Sequence, residues 1–386
     1  MKVAVIDADL IGRKKHRFPN LASMKISGYH KDCGDCVQLK TDYDNLNEFD
    51  KVYISKVFTD TPIDENILKL PNVEYGGTGF YFDKAPDLPY EIEHHMPDYH
   101  LYDDWIEEQL SNGIPKNQFK EYRDYSIGFL TRGCFRKCGF CVNQKYDRVF
   151  LHSPLEEFKD DSRKKICILD DNILGSPEWR NILYQLINTG KSFKFKQGMD
   201  ERLLTDEKCE ILFNAKYDGD YTFAFDNISD YDLIHKKLQM IRNHTDKTNI
   251  KFYVLVGYES TDVIDIENAF KRIELLIRYH CLPYIMRFQN KNNSPWKDSD
   301  MRGMYITLAR WCNQPSYFKK KSLREYANME SNNDATRRYI TEFEEKYPDI
   351  ANKYFDMKWE NYTDLLKKEE NNKWKETQKK NISSIS

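Results

Sequence analysis

The chain has 386 residues, of which 31% are charged and 40% hydrophobic, with a formal net charge of −3. That length allows two or three domains with sizeable cores, and the near-neutral balance gives no basic field to draw it toward nucleic acid or anionic lipid. No apolar run approaches the ~20 residues of a bilayer span, and Met1-Lys2-Val3-Ala4-Val5-Ile6-Asp7 turns acidic too early for a secretion signal, reading instead as a buried strand.

Nine cysteines, an odd number, sit at positions 33, 36, 134, 138, 141, 167, 209, 281 and 312. With no secretion signal, a disulfide framework is not expected in a chain this large. The expected compartment is reducing and cytoplasmic, with clustered cysteines as candidates for metal or redox chemistry and scattered ones as core residues.

In chain order, residues 1–83 carry strand-like runs at Val3–Ile6, Val37–Leu39, Val52–Ile54 and Val73–Tyr75. Helical candidates near Phe18–Gly28 and Ile63–Leu70 separate them, and Gly76-Gly77-Thr78-Gly79 follows the last. This alternation predicts an α/β unit with an open parallel, Rossmann-like sheet. Residues 84–122 are rich in Pro, Asp, Glu and Tyr, and read as a linker wrapping over the surface.

From Tyr125 the rhythm becomes regular, with strands expected at Tyr125–Leu130, Lys165–Leu169, Phe193–Gln197, Tyr221–Phe225, Lys251–Val256 and Leu282–Phe288. A helix can be placed after each. The clearest has Ile266, Phe270, Ile273 and Leu276 on one face. Six β–α units in about 190 residues suggest an incomplete (β/α)6 barrel over residues 123–313. Residues 314–386 read as a helical extension, with Lys319-Lys320-Lys321 a solvated face and the last twenty residues a frayed tail.

The central signal is Thr131-Arg132-Gly133-Cys134-Phe135-Arg136-Lys137-Cys138-Gly139-Phe140-Cys141, directly after the first barrel strand. That is the rim where barrels of this kind place their chemistry. Thiolates favour iron–sulfur clusters or zinc. An ordinary electron-transfer cluster takes four cysteines, so three leave one iron open, as substrate chemistry at a metal requires. The bland alternative is zinc completed by a histidine such as His152.

The C-x3-C-x2-C spacing, with aromatic Phe140 before the third cysteine, resembles the defining motif of the radical S-adenosylmethionine (SAM) superfamily. The resemblance implies a partial six-unit barrel and a [4Fe–4S] cluster on Cys134, Cys138 and Cys141. It further implies SAM chelated by the fourth iron, hydrogen abstraction by a 5′-deoxyadenosyl radical, and an electron donor such as flavodoxin or ferredoxin. Polar residues past the other strands are then candidates around SAM. Asp170-Asp171-Asn172 follows the second strand, where the family holds the SAM amino group, and carboxylates suit an ammonium. Capping of the next helix is the alternative for these three. Gln197, Asp200 and Arg202 follow the third strand. A guanidinium fork fits the SAM carboxylate, and a structural ion pair is the competing role. Asp226 ends the fourth strand near ribose hydroxyls, Gly257 permits close backbone approach after the fifth, and Arg287 and Gln289 fall over substrate after the sixth.

The domain order is similar to the branch of that superfamily with an N-terminal cobalamin-binding domain, here in degenerate form. The Asp-x-His-x-x-Gly loop of cobalamin carriers is missing, and Asp7-Ala8-Asp9-Leu10-Ile11-Gly12 has no histidine. Cobalamin is therefore possible but not favoured. Cys33-Gly34-Asp35-Cys36 reads as two ordinary thiols, with a half-site for zinc, an auxiliary cluster or a dithiol as alternatives. His94-His95 reads as surface display, since adjacent histidines point in different directions, with a role as ligands the alternative. Substrate and product stay open: cobalamin-dependent methyl transfer, and a non-catalytic zinc or iron–sulfur binding module, are the rival readings. RNA modification is disfavoured by the lack of a basic domain.

Overall fold

The computed structural model describes residues 1–143, 145–289 and 294–362. The chain forms two compact units, one of residues 1–197 with 215–218, the other of residues 198–214 with those from 219 onward. The tail expected to fray, residues 367–386, lies outside the described residues.

The first unit begins with strands β1 (Lys2–Asp7), β2 (Cys36–Lys40), β3 (Lys51–Ser55) and β4 (Val73–Gly76). They form one parallel sheet in the order β2-β1-β3-β4. Asp7 pairs with Ser55 and Ser55 with Gly76, so three strands end level with one another. Central β1 is buried from Val3 to Asp7. Its alternate side chains go to opposite faces, Ala4 and Ile6 packing with Val52 and Ile54, Val3 and Val5 with Met24 and Ile26. The latter two come from the helix Leu21–Asp32, which starts where the Asn20 side chain accepts the Ser23 N–H at 3.1 Å.

Two expectations for this region need correction. Residues 63–70 hold only a single 3₁₀ turn, Ile67–Lys69. Asp64 takes the Asn66 N–H onto its carboxylate at 2.9 Å, a local bond that competes with helix formation. Residues 84–122 do not simply wrap over the surface: Ile92, Tyr99, Leu101, Tyr102, Ile106 and Phe119 are buried in the same cluster as Val3 and Val5. The tyrosines enter because their hydroxyls find partners. Tyr102 donates to Asp7 and accepts from Asn20 N–H, both at 3.0 Å, and Tyr99 accepts the Ile127 N–H at 2.8 Å.

The first unit continues with β5 (Tyr125–Gly128), β6 (Thr131–Arg132), β7 (Phe150–Leu151), β8 (Lys165–Ile168) and β9 (Ser192–Phe195). A parallel ladder runs β5-β8-β9, with Gly128 opposite Ile168 and Ile168 opposite Phe195, so these ends are also level. No α-helix among the described residues separates β5 from β8, contrary to the regular pattern expected. The antiparallel pair β6–β7 stands there instead and brackets the cysteine segment. That segment is polar and lacks the apolar periodicity of an amphipathic helix.

In the second unit, β10 (Tyr221–Ala224), β11 (Ile250–Val256) and β12 (Leu282–Arg287) form a parallel ladder in that order. Helices Tyr231–His244 and Val263–Arg278 connect them, and Ile266, Phe270, Ile273 and Leu276 are fully buried as the helical spacing predicts. Helices Arg302–Cys312, Asp334–Lys346 and Pro348–Tyr354 follow. All six expected strands are therefore present in order, as two three-stranded parallel ladders. Cys167, Cys209, Cys281 and Cys312 are buried, as read for the scattered cysteines. No helix of the described residues is long and apolar enough to cross a membrane.

Candidate functional site

Gly133 sets up the cysteine segment. Its φ is +86°, and a Cβ there would meet the Arg148 carbonyl oxygen at 2.3 Å, so the chain turns out of β6 where a side chain does not fit. Beyond it, donors converge on sulfur. Cys134 Sγ accepts from Arg136 N–H and from Asn172 Nδ2, both at 3.3 Å, and Cys141 Sγ accepts from Asn143 N–H at 3.3 Å. The Cys141 N–H returns to the Cys138 carbonyl at 2.9 Å and tightens the turn. Burial pushes the Cys141 thiol up, and Cys138, Cys134 and Asp171 add to that through their negative charge.

The residues after β8 hold this segment in place. Asp170 is buried and its carboxylate accepts Leu130 N–H and Thr131 N–H at 2.8 Å each, and the Thr131 hydroxyl at 2.6 Å. Burial pushes its carboxyl up to about 7. Asp171 accepts the Gly133 N–H at 2.8 Å. Asn172 is buried, and its Oδ1 has no hydrogen-bond partner. Asp170, Asp171 and Asn172 are thus brought to the thiols by the β8 end, two as anchors of the loop backbone and one as a donor to sulfur. Gln197 is exposed beyond β9.

Three thiols, N–H donors on two of them, and a backbone pinned by two aspartates just before Cys134 fit a [4Fe–4S] cluster, whose sulfurs accept such bonds. Among the described residues no three His, Cys, Asp or Glu side chains are placed to hold a single metal ion. Cubane ligands bind different irons and need not meet at one point. His152, the histidine a zinc reading requires, is turned elsewhere: its Nδ1 meets Ser153 Oγ at 3.0 Å, its Nε2 lies 3.4 Å from Glu93, and its ring stacks on His94. His94 in turn pairs with Glu157 at 2.8 Å, so it is not surface display. Cys33 and Cys36 are exposed and not joined by a disulfide.

The remaining candidates belong to the second unit. Arg202 Nε donates to Asp200 at 2.6 Å and Nη1 to Asp230 at 3.4 Å, the structural pairing anticipated as its competing role. Beside them Glu201 is buried, accepts the Ala224 N–H at 3.1 Å, and is pushed up to about 8 by burial. Asp226, after β10, is raised to about 6 by burial against the pull of Arg272. Gly257 has φ +69°, gives its N–H to Asp265 at 2.7 Å, and would clash with Trp296 if it carried a Cβ. Arg287 lies over the Trp296 ring and Gln289 is exposed.

Sequence reasoning missed Arg272. It is buried, and Nη1 donates to the carbonyls of Phe225, Asp226 and Leu255 at 3.1, 2.8 and 2.9 Å, tying the ends of β10 and β11 together. Its place on the apolar face of Val263–Arg278, one position before Ile273, was the available signal.

Within the first unit a cavity of about 940 Å³ opens at the level strand ends. Ser55 and Gly76 reach it from the four-stranded sheet, Asp171 and Gln197 from β8 and β9, and Asn143 and Tyr146 from the segment after Cys141. That volume is at the upper end for small-molecule sites.

No family model matches the chain. No curated protein matches it. Among solved structures, one that is similar is a radical S-adenosylmethionine methyltransferase, TsrM, from Kitasatospora setae, with tryptophan substrate and a SAM analogue bound. It is 11% identical, with a TM-score of 0.49, over 73% of this chain and 72% of that one.

Proposed function

We propose that the chain is a radical SAM enzyme, with Cys134, Cys138 and Cys141 as the protein ligands of a [4Fe–4S] cluster and a partial barrel built from β5, β8, β9, β10, β11 and β12. The observation that carries this reading is the cysteine segment itself. Three thiols at C-x3-C-x2-C spacing follow β5, with backbone and Asn172 N–H groups directed at sulfur and two aspartates holding the loop. When bound, such a cluster supplies the electron that cleaves the SAM sulfonium, giving methionine and a 5′-deoxyadenosyl radical that takes hydrogen from substrate. The chain's own part would be to hold the cluster with three thiolates and leave one iron without a protein ligand. Asp171, Asn172 and Gln197, with Asp200, Arg202, Asp226 and Gly257, are proposed around SAM. A flavodoxin or ferredoxin is proposed as electron donor.

Cobalamin is left out of this reading. Where carriers place a ligating histidine after the first strand, this chain forms the short helix Ala8–Gly12, and Asp9 turns inward to accept the Val57 N–H at 2.7 Å. The cavity beside it is the observation that favours the rival, cobalamin-dependent methyl transfer, and corrin content decides between them.

The test is anaerobic purification and reconstitution with iron and sulfide, followed by product analysis with SAM and dithionite. The expected result is about four irons per chain and 5′-deoxyadenosine, both lost on Cys138→Ala but retained in Cys209→Ala. Stoichiometric zinc, or SAM cleavage by Cys138→Ala, overturns the proposal.

A further inference from the structure

The geometry points to a substrate that carries a phosphate or carboxylate on an aromatic or heteroaromatic body, seated in the first-unit cavity against Arg132 and Lys196. The inference takes the reaction from the radical SAM reading, and takes the anion from the cavity wall alone.

Of the six acids that line the cavity five are already engaged, Asp83 being the exception among the described residues. Glu93 pairs with Lys25 at 3.2 Å and Asp87 with Lys145 at 2.5 Å, Glu74 meets Lys51, and Asp9 and Asp171 accept backbone N–H groups. The cations are not matched in the same way. Arg132 and Lys196 both line the cavity, and among the described residues neither has a carboxylate partner. Each is held instead on an aromatic face, Arg132 at 3.9 Å from the Phe129 ring centroid and Lys196 at 4.4 Å from that of Phe18.

Phe129 and Phe18 pack against one apolar cluster, formed by Leu21, Tyr125, Ile127, Cys167 and Leu169. Both cations thus lie on rings that pack against one apolar cluster, where a cation–π contact favours a position without neutralising charge. An anion entering the cavity meets cations that the rings already draw to its lining, which lessens the ordering its binding requires. Arg17 also lines the cavity. Two carbonyls take its Nη1, and its Nε is buried with no partner. Phe58, Tyr75 and Tyr146 bring aromatic surface to the rest of the lining. Asn143 and Tyr146 set this chamber beside the cysteine segment, so a ligand anchored on Arg132 reaches toward the proposed chemistry.

The experiment is calorimetric titration of the reconstituted, iron-loaded protein with 1-naphthyl phosphate, 1-naphthoate, 1-naphthol and inorganic phosphate, iron being measured on every sample. The expected result is one site, with at least one naphthyl anion bound about tenfold or more tighter than the neutral naphthol, the effect of a charge-assisted hydrogen bond. Which naphthyl anion binds tighter identifies phosphate or carboxylate as the group. Arg132→Gln and Lys196→Gln should each cut that preference to about threefold or less, and Arg132→Lys, which keeps the charge but loses the planar fork stacked on Phe129, should retain only part of it. Equal binding of anions and naphthol by the parent overturns the inference, as does a preference that survives both Gln variants. Inorganic phosphate binding as tightly as 1-naphthyl phosphate overturns the aromatic half. Failure of the parent to hold iron counts against the radical SAM reading alone, since the anion preference is scored independently.

Discussion

Asn172 donates from Nδ2 to Cys134 Sγ across 3.3 Å, and its own Oδ1 is buried without a partner. An N–H directed at sulfur stabilises the thiolate that an iron requires. Asn172→Asp keeps the shape but replaces the donor with a negative charge beside three thiols. The expected outcome is poorer iron retention and a more negative reduction potential, with Asn172→Ala intermediate. Iron content and a potentiometric titration check this. Parent-like values for the Asp variant would remove Asn172 from the thiol environment.

Asp170 and Asp171 look interchangeable in the sequence and differ in the fold. Asp170 makes three hydrogen bonds to residues 130 and 131 in a buried setting, whereas Asp171 makes one to Gly133. Asp170→Ala leaves two buried N–H groups without an acceptor, at a cost of about 2–4 kcal/mol. Asp171→Ala should cost about 1 kcal/mol, the worth of one ordinary hydrogen bond. Urea denaturation of the two variants measures the difference, and equal losses would sink the assignment.

The contrast marks what the sequence could carry. Periodicity located every strand of both parallel ladders, because buried β–α–β units leave long apolar signals at fixed spacing. The cysteine segment was legible for the same reason, since its chemistry is local. Residues 84–122 were not. Tyr99 and Tyr102 are buried through hydroxyl bonds to Ile127 and Asp7, far along the chain, and composition alone counts them as polar surface. Nor does spacing tell whether an aspartate after a strand faces a ligand or, like Asp170, its own backbone. Arg272 escaped notice because a charged residue on an apolar helix face reads as noise until the carbonyls it bridges are known.

In the second unit, Glu201 is buried with its carboxyl raised to about 8. A carboxyl raised in the fold binds its proton more tightly than in the unfolded chain. Its contribution to stability is full below the unfolded value near 4.5 and is lost as pH rises through about 8. Glu201→Gln keeps an acceptor for the Ala224 N–H and removes the titration. Melting temperatures from pH 5 to 9 should fall less steeply for the variant than for the parent. Superimposable profiles would show that Glu201 does not titrate in this window.

His152 gives the opposite slope. Burial, with Arg132, Lys25 and His94 nearby, lowers its folded value from 6.5 to about 4. The folded protein therefore binds this proton less readily than the unfolded chain. The stability linked to neutral His152 is present above pH 6.5 and is lost as pH falls toward about 4. Glu157 opposes the shift, and Glu93, 3.4 Å away, is already held by Lys25 at 3.2 Å. His152→Phe keeps the ring that stacks on His94 and meets Phe129, and removes the titrating nitrogens. The Ser153 hydroxyl loses its ring partner, a small cost common to all pH values. The expected outcome is a parent whose melting temperature drops between pH 7 and pH 5, and a variant whose drop is smaller, measured at constant ionic strength because neighbouring cations are screened by salt. A variant that loses as much as the parent over that interval would place the acid sensitivity elsewhere.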